Sequence, residues 1–322
     1  MRILLTGSSG WLGSGLEPRL KALGHDVIGL DPVLSARTQI VGSIADRDLV
    51  LRTVRKHSIE AIIHSGALHK PNIEHFENSA FVATNVQGTL NLLDAAVACG
   101  VRRFVFTSTT SLMISRAIRA GFQGGAREAA WLTEEMSPEP RNIYGVTKLS
   151  AEHLCRLYHI EHGLPVVVLR TARFFPEADD MAHAIEQSDA NTKANELLFR
   201  RLTVEDAAEA HVAALEKAPS LGFDVFIVSA PTPFKPEDCA ELIADAPSVV
   251  ARYFPDYPRL YARKGWTMFS SIDRVYDPSR ARERLGFVCK TSFADVLAAL
   301  EAEARSPQAP AAARASSLVR SP

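Results

Sequence analysis

Residues 6–13 read Thr-Gly-Ser-Ser-Gly-Trp-Leu-Gly, and this short stretch decides the fold class. It lies between an apolar run at residues 3–5 and a segment at residues 12–23 whose apolar side chains recur at helical spacing. Glycines at a strand-to-helix junction permit a tight turn and let the backbone approach a pyrophosphate, while amides at the helix N-terminus attract the anion. A purely structural turn is the alternative interpretation. The placement predicts a phosphate-binding turn at the start of a parallel α/β fold.

Apolar runs alternate with amphipathic stretches through the first half of the chain. The runs cover residues 3–5, 27–30, 61–64, 104–107 and 166–169, and the helical patterns cover residues 12–23, 47–56, 80–99 and 144–162. This is the rhythm of βαβ units, in which a parallel sheet is covered by helices on both faces. We therefore expect a doubly wound parallel sheet.

The pattern changes after residue 173. A polar loop with Asp179 and Asp180 is followed by a predicted strand near residues 199–202, a helix over 204–217, a strand near 225–228 and two late helices. This order predicts a small C-terminal substrate-binding lobe that is interleaved with the end of the sheet. We assign residues 1–170 to a nucleotide-binding domain, residues 171–304 to the lobe, and residues 305–322, rich in Ala, Pro, Ser and Arg, to a disordered tail.

The composition of the chain excludes several classes of partner. Over 322 residues the formal net charge is −1, with 47% hydrophobic and 23% charged residues, which is ordinary for a globular protein and indicates neither nucleic acid nor a membrane as partner. The four cysteines are widely spaced, and the histidines lack the spacing of metal ligands. These spacings predict a protein of the reducing cytoplasm without a metal site. No apolar run approaches the length that spans a bilayer.

Asp31 ends the second predicted strand, in Gly29-Leu30-Asp31. A carboxylate at this position accepts hydrogen bonds from the adenosine ribose and repels a 2′-phosphate, so it favours NAD over NADP. A turn aspartate before Pro32 is the alternative interpretation, and Arg37 stands close enough in sequence to oppose the preference.

These features resemble the extended short-chain dehydrogenases/reductases, the NAD-dependent epimerase/dehydratase family, whose glycine motif is Thr-Gly-x-x-Gly-x-x-Gly. The resemblance continues through residues 62–67, 85–89, 104–109, the Tyr144-x-x-x-Lys148 signature and residues 201–211. It implies a Rossmann-type fold and NAD as cofactor. The cofactor contacts that it implies are Gly7, Ser9, Gly10, Trp11, Leu12, Gly13, Asp31, Ser43, Ile44, Ser65, Gly66, Ala67, Asn85, Thr107, Tyr144 and Lys148.

Tyr144 and Lys148 form a candidate catalytic pair. At i and i+4 they share one helix face, and a nearby ammonium favours phenolate, which lowers a phenol pKa that is about 10 in water. The pair is predicted to act as a general acid/base, with Lys148 also placed to hold the nicotinamide ribose. The resemblance implies that Thr109, or else Ser108, orients the reacting oxygen. The alternative is a buried ring beside a solvated amine. His64 is predicted to be a packed or cofactor-side residue.

Departures from the family pattern bear on the substrate. Dehydratases place an acidic pair after the catalytic Thr, where this chain has Thr110 and Ser111, so dehydration is disfavoured. Arg173 replaces an Asn that contacts substrate in nucleotide-sugar enzymes, and residues 175–177, Phe-Pro-Glu, resemble the same loop of uronate dehydrogenases. Arg173 is predicted either to bind a carboxylate or phosphate or to form an ion pair with Glu177 or Asp179.

We assign Thr109, Thr110 and Arg173 to substrate binding. The segment at residues 114–131, which carries Arg116, Arg119 and Arg127, is predicted either to fold near the mouth of the site or to be a solvated surface loop. Ser43 stands where many relatives have an Asp beside the adenine.

The resemblance implies hydride transfer at a secondary alcohol carbon of a carbohydrate. It favours a sugar or nucleotide-sugar epimerase similar to UDP-glucose 4-epimerase, whereas Arg173 and the missing Asn favour dehydrogenation of a free sugar or sugar acid. A non-catalytic NAD-sensing protein is a third hypothesis, against which the presence of Tyr144 and Lys148 counts. The resemblance also implies a homodimer, formed through the helix that begins at Tyr144 and the helix that ends near Cys99.

Overall fold

A seven-stranded, wholly parallel sheet forms the centre of the molecule. The computed structural model describes residues 1–121, 126–174 and 187–305. The first half contains β1 (Arg2–Thr6), α1 (Trp11–Ala22), β2 (Asp26–Asp31), β3 (Ile40–Val41), α2 (Arg47–Lys56), β4 (Ala61–His64), α3 (Asn78–Phe81), α4 (Gly88–Ala98) and β5 (Arg103–Thr109). There follow α5 (Arg116–Gly121), β6 (Ala130–Leu132), α6 (Ile143–His162), β7 (Val166–Thr171), α7 (Asp189–Glu196), α8 (Val204–Leu221), β8 (Phe223–Val228), α9 (Cys239–Tyr253), α10 (Tyr257–Lys264), β9 (Arg274–Tyr276) and α11 (Phe293–Arg305).

The strand order of the sheet is β3-β2-β1-β4-β5-β7-β8. Successive residues of β1 point to opposite faces: Ile3 and Leu5 pack with α1 and α8, whereas Leu4 packs with α2, α4 and α6. All three side chains are 0% exposed. Burial on both faces explains why the strands read as continuous apolar runs. The predicted doubly wound, Rossmann-type sheet is confirmed.

The helices that border the site begin and end where the sequence supplies capping groups. The side chain of Asn142 accepts a hydrogen bond from the Gly145 amide at 2.9 Å and so caps the start of α6. The helix ends at Gly163, which adopts a left-handed conformation with φ +65°. Thr203 caps α8 in the same way, since its hydroxyl accepts from the Asp206 amide at 3.1 Å. These caps set the register of both helices against the sheet.

Some sequence-based expectations need correction. The strand predicted at residues 199–202 is absent: residues 197–200 form a turn after α7, and Arg201 makes an isolated bridge with Arg173. The turn lets Arg200 and Arg201 both reach Glu196, which an extended strand would not. The single helix predicted over residues 80–99 is interrupted by a π-helical turn, Val82–Gln87. Three late helices, α9, α10 and α11, are present where two were predicted.

The C-terminal part contributes to two regions. The predicted helix and strand at 204–217 and 225–228 are α8 and β8, and β8 pairs with β7 in the main sheet. A separate apolar cluster joins α7, α9, α10 and α11, and the two-stranded parallel sheet β6–β9 lies at its border. The division near residue 170 stays a prediction.

The predicted polar loop with Asp179 and Asp180 lies outside the described residues. So does all of the predicted tail except Arg305. Within the described ranges, the structure has no helix that is both long and apolar enough to cross a membrane.

Candidate active site

The carboxyl ends of the central strands open into a cavity of about 930 Å³. This is the edge at which open parallel sheets place their ligands. Most of the residues predicted from the sequence line it: Gly7, Ser9, Gly10, Trp11, Leu12, Asp31, Ser43, Ile44, Ser65, Gly66, Ala67, Thr107, Ser108, Thr109, Thr110, Tyr144, Lys148 and Arg173. Gly13 and Asn85 are not among the lining residues. The fold therefore brings the predicted nucleotide and catalytic groups to one cavity.

The glycine turn leaves no room for side chains at two of its positions. Gly7 has φ +73°, and a Cβ there would come within 2.8 Å of the Gly66 backbone nitrogen. A Cβ on Gly13 would come within 2.4 Å of the Gly7 carbonyl oxygen. Gly13 therefore acts by letting α1 pack against the turn and not by facing the cavity. The turn presents bare backbone at the start of α1, which fits a pyrophosphate.

Asp31 is held across the mouth of the glycine turn. Its carboxylate accepts hydrogen bonds from the Ser9 amide at 3.3 Å and from the Val33 amide at 2.8 Å. Only 6% of the residue is exposed, and it lines the cavity, whereas Arg37 is not among the lining residues. The arrangement places a fixed negative charge where the adenosine ribose of a dinucleotide would lie.

We expect Asp31→Ser to narrow the preference for NAD over NADP by at least about tenfold, because the added 2′-phosphate no longer meets a carboxylate. Fluorescence titration of both cofactors measures it. Asp46→Ser is a matched control, since Asp46 is an exposed cap of α2 and serine also caps helices. Tighter binding of NADP than NAD by the unmodified chain would contradict the assignment.

His64 is a packed residue whose protonation is fixed by its neighbours. The Thr89 hydroxyl donates to the Asn85 carbonyl at 2.6 Å, so it accepts from His64 Nε2 at 3.0 Å. His64 Nδ1 then accepts from the Thr6 hydroxyl at 2.8 Å. Burial, with a smaller contribution from the charge of Lys148, lowers the pKa of His64 well below its ordinary value. An uncharged imidazole whose two nitrogens are both engaged in hydrogen bonds is unsuited to act as a base.

Asn85 holds in place Leu68, a residue that lines the cavity. Its side-chain oxygen accepts from the Leu68 amide at 2.8 Å, and its nitrogen donates to the Leu68 carbonyl at 3.0 Å and to the Thr147 hydroxyl at 3.0 Å. The amide thus ties residues 65–68 to α6. Asn85 is 2% exposed and is not among the lining residues, and its cofactor contact stays a prediction.

Tyr144, Lys148 and Thr109 all line the cavity. Tyr144 is 7% and Lys148 3% exposed, on one face of α6. The Thr109 hydroxyl accepts from the Ser111 amide at 3.1 Å, which leaves its proton for the hydrogen bond with the Tyr144 phenol. The Lys148 ammonium stands 4.1 Å from the centroid of the Phe106 ring. A hydroxyl, a phenol and an ammonium are therefore fixed by buried neighbours.

The ionisation of this pair differs from the sequence-based expectation. Burial raises the pKa of Tyr144 to about 12, against the opposite effect of the hydrogen bond with Thr109. Burial also lowers the pKa of Lys148 to about 7, although Cys155 and Glu152 act in the other direction. The expectation that the lysine lowers the phenol pKa below 10 is wrong for the chain alone, because desolvation opposes charge on both groups.

Three further hydroxyls at the edge of the sheet have partners of their own. Ser108 donates to the Glu152 carboxylate at 2.5 Å. Thr107 donates to His211 Nε2 at 2.8 Å, and Thr110 donates to the Thr171 carbonyl at 3.3 Å. Because the Ser108 hydroxyl is engaged by Glu152, Thr109 is the better candidate for orienting a substrate oxygen.

Five arginines are among the described residues that line the cavity. Among its described lining residues are Arg119, Arg141, Arg173, Arg200 and Arg274, which we call the arginine wall. Two buried carboxylates accompany them: Glu196 contacts Arg200 at 2.5 Å, and Asp273 contacts Arg274 at 2.6 Å. Burial together with the charges of Arg274 and Arg200 lowers the pKa of Arg119, which shows how closely the cations are crowded. The wall is suited to a substrate with several negative charges.

Arg173 forms an ion pair with Glu196, with 3.7 Å between Nε and a carboxylate oxygen. Glu196 is 0% exposed and also contacts Arg201 at 2.7 Å. Burial acts to raise the pKa of Glu196, but the charges of Arg200, Arg201 and Arg173 lower it overall. The partners predicted for Arg173, Glu177 and Asp179, lie outside the described residues, as does the Phe-Pro-Glu stretch. Arg173 both lines the cavity and contributes to a buried charge cluster.

Several lining residues were not predicted. Arg141, Arg200 and Arg274 come from distant segments without a shared motif. Arg119 belongs to residues 114–131, for which a position near the mouth of the site was one of two predictions. In the same segment Arg116 and Arg127 are exposed. His69 also lines the cavity, with its ring centroid 5.9 Å from that of Tyr144. Burial lowers the pKa of His69 to about 4. The sequence signal for His69 was its position two residues after Ala67, which was itself predicted to contact the cofactor.

No metal centre is evident in the part of the chain that the structure describes, where no group of three or more His, Cys, Asp or Glu side chains could hold an ion.

Residues 3–227 match the family model described as the NAD dependent epimerase/dehydratase family. UDP-glucose 4-epimerase of Rhizobium meliloti is 30% identical, over 52% of this chain and 50% of that protein. The enzyme of the same name from Azospirillum brasilense is 26% identical, over 66% and 68%. Uronate dehydrogenase of Pseudomonas syringae is 27% identical, over 55% and 60%. The chain thus spans about half the length of the first of these curated relatives.

Solved structures share the fold at lower identity. UDP-glucose 4-epimerase of Thermotoga maritima superposes with a TM-score of 0.65 at 22% identity, covering 91% of this chain and 94% of that one. A short-chain dehydrogenase/reductase superfamily protein from Agrobacterium tumefaciens, solved with bound NAD, gives 0.66 at 23% identity, with 95% and 97% covered. A mutated uronate dehydrogenase gives 0.63 at 21%, with 95% and 87% covered. At 21–23% identity, these similarities show that the chain shares the fold of these proteins.

Proposed function

Because this chain belongs to the NAD dependent epimerase/dehydratase family, we propose that it moves a hydride between NAD and a secondary alcohol carbon of a sugar-type substrate. One observation carries the proposal: the glycine turn, Asp31 and the Thr109–Tyr144–Lys148 group all line the same cavity. The bare backbone at Gly7 and the carboxylate at Asp31 fit a dinucleotide, and the buried phenol of Tyr144 lines the same cavity. NAD, when bound, supplies the hydride acceptor.

Each residue of the central group has a task in this reaction. Tyr144 removes the proton of the substrate hydroxyl, and Thr109 donates a hydrogen bond that steadies the oxygen. Lys148 holds the hydroxyls of the nicotinamide ribose and, when protonated, stabilises the phenolate. Tyr144 and Lys148 are buried and Thr109 is half-buried, which limits the access of water to the transferred proton.

Among net reactions, we favour epimerisation of a sugar or nucleotide-sugar, similar to that of UDP-glucose 4-epimerase. The arginine wall supports this, since five of the described lining residues are arginines and a nucleotide-linked sugar brings several negative charges for guanidinium groups to bind. A keto intermediate that stays bound and takes the hydride back on its other face yields the epimer.

Dehydrogenation of a free sugar or sugar acid, similar to that of uronate dehydrogenase, is the second candidate. Arg173 favours it, because a sugar carboxylate could accept hydrogen bonds from the Arg173 guanidinium, whose Nε lies 3.7 Å from Glu196. Glu196 would keep Arg200 and Arg201 as partners.

Incubation with nucleotide-sugars and with free uronates in the presence of NAD separates the candidates. An epimerase converts a nucleotide-sugar without net NADH formation, whereas a dehydrogenase accumulates one NADH for each uronate consumed. Binding of NAD without turnover of any carbohydrate would instead support the hypothesis of a non-catalytic NAD-sensing protein.

Arg173→Ala reports on the charge of the substrate. Loss of a charged hydrogen-bond donor is expected to weaken substrate binding by about 1.5–3 kcal/mol, roughly 10- to 150-fold, with NAD affinity unchanged. Steady-state KM and cofactor titration measure the two effects, and Arg116→Ala, an exposed position on α5, is the control. An unchanged KM together with a lower melting temperature would assign Arg173 to the charge cluster alone.

We also propose that the chain forms a homodimer through α4 and α6. Apolar side chains on α6 support it, since Val146, Leu157 and Ile160 are 45%, 42% and 68% exposed. Exposed apolar groups along one helix are a common mark of a protein interface.

A further inference from the structure

Glu152 is a buried acid that the proposed mechanism leaves unused. It follows Lys148 by one helical turn and Tyr144 by two, on the same face of α6. The residue is 5% exposed. A carboxylate is not kept away from water at this position unless other groups hold it.

Two neighbouring strands supply those groups. Arg170, on β7, donates to Glu152 through Nη2 at 2.8 Å and through Nε at 3.1 Å. Ser108, on β5, donates its hydroxyl at 2.5 Å. Within the described part of the chain, Arg170 Nη1 is buried without a hydrogen-bond partner. The pair is therefore incompletely satisfied as a structural salt bridge, although it fixes the carboxylate in place.

The carboxylate acts on the catalytic lysine. The groups around Lys148 that carry or can carry charge are Glu152, Cys155 and Tyr144 on α6, His64 on β4 and His69 beyond it, with Arg170 bound to Glu152 on β7. Burial keeps the pKa of both histidines below their ordinary value and that of the Cys155 thiol above it, so these three groups are uncharged near neutrality. Glu152 is thus the acidic charge that supports the ammonium.

We propose that Glu152 is a positioning residue which, clamped by Ser108 and Arg170, sets the pH range over which Tyr144 and Lys148 exchange protons. The proposal rests on the function proposed above for these two residues. Neither Glu152 nor Arg170 lines the cavity, so the effect is transmitted by charge and not by contact with substrate.

The sign of the effect follows from electrostatics. A negative charge stabilises the protonated forms of both Lys148 and Tyr144, so its removal lets both groups lose their protons at lower pH. At a separation of one to two helical turns and an effective dielectric constant near 20, one charge shifts a titration by about 1 to 2 pH units. Glu152→Gln should therefore move the whole activity profile toward lower pH.

The experiment compares Glu152→Gln with three variants of the full-length chain. Glu152→Asp keeps the charge and should retain most of the original profile. Glu161→Gln removes an exposed charge from the end of the same helix and should leave the profile unchanged. The double variant Glu152→Gln/Arg170→Gln removes both charges of the pair and should return the profile toward that of the unmodified chain. An apparent pKa does not depend on the fraction of folded enzyme, so partial misfolding does not obscure the result.

A second readout needs no substrate. The Lys148 side chain is titrated by NMR in protein labelled at lysine Cε, with and without saturating NAD, and its signal is assigned from Lys148→Met. The proposal requires the Lys148 titration to fall by about 1 to 2 pH units in Glu152→Gln. If it moves by less than about 0.2 units, or by as much in Glu161→Gln, the proposal is overturned. A shifted titration in a chain that turns over no carbohydrate would overturn the proposed function alone.

Discussion

Tyr144→Phe is expected to lower kcat by about 10²- to 10⁴-fold, the range for loss of a general acid/base, while NAD affinity changes less than about twofold. The ring remains to fill its buried site, and only the oxygen that exchanges the proton is lost. Steady-state kinetics with the substrate found by the carbohydrate screen, together with cofactor titration, measures the two quantities.

Tyr158→Phe is the matched control for this variant. Tyr158 lies on the same helix, and its phenol donates to Asp94 outside the cavity. Its removal should leave kcat within about twofold of the original value, because no reacting group is touched. A similar fall in both variants would show that disturbance of α6, and not loss of a proton-transfer group, explains the result.

Lys148→Met is expected to reduce activity and NAD affinity together and yet to stabilise the fold. Loss of charged hydrogen bonds to the ribose should weaken NAD binding by about 10- to 100-fold. The folded chain holds this lysine at a pKa of about 7, against 10.5 ordinarily, so folding has to oppose its protonation. Methionine fills similar space without that cost and should raise the free energy of unfolding by on the order of a few kcal/mol.

The pH dependence provides a second check on this variant. Between about pH 7 and 10.5 the unfolded chain binds the lysine proton more than the folded chain does. The stability of the unmodified protein should therefore rise with pH across this window, and Lys148→Met should lose that slope. Denaturant unfolding at several pH values measures it, with the exposed Lys56→Met as control. Equal slopes in all three proteins would show that the lysine is not desolvated in the folded state.

Local sequence rules were sufficient for the nucleotide half of the site. The glycine turn, Asp31 and the Tyr144–Lys148 spacing each depend on one short segment whose structure follows from strand, turn and helix patterns. The family assignment and the doubly wound sheet were also predicted. Even here, tertiary neighbours decide the details. Gly13 lets α1 pack against the turn, Asn85 holds Leu68, and burial outweighs the hydrogen bond with Thr109 in setting the pKa of the Tyr144 phenol.

The substrate half could not be predicted in the same way. The arginine wall is assembled from α5, the loop before α6, the segment after β7, the turn after α7 and β9. Arg173 was assigned to substrate binding from the sequence, but Arg141, Arg200 and Arg274 are each an ordinary charged residue there. Burial and mutual proximity make them informative, and both arise only from tertiary packing. The prediction of a strand at residues 199–202 was wrong for the same reason. Residues 197–200 form a turn, in which Arg200 and Arg201 both form ion pairs with Glu196.

The pairing of β6 with β9 has a consequence for biosynthesis. Ala130–Leu132 can find its partner, Arg274–Tyr276, only after the ribosome has made nearly the whole described chain. Strands β1 to β5, which carry the glycine turn and Asp31, are by contrast complete at Thr109. Chains fold from the N-terminus during synthesis. We therefore expect the nascent polypeptide to form the glycine turn and position Asp31 well before the arginine wall, and truncation before residue 274 to leave the wall unassembled.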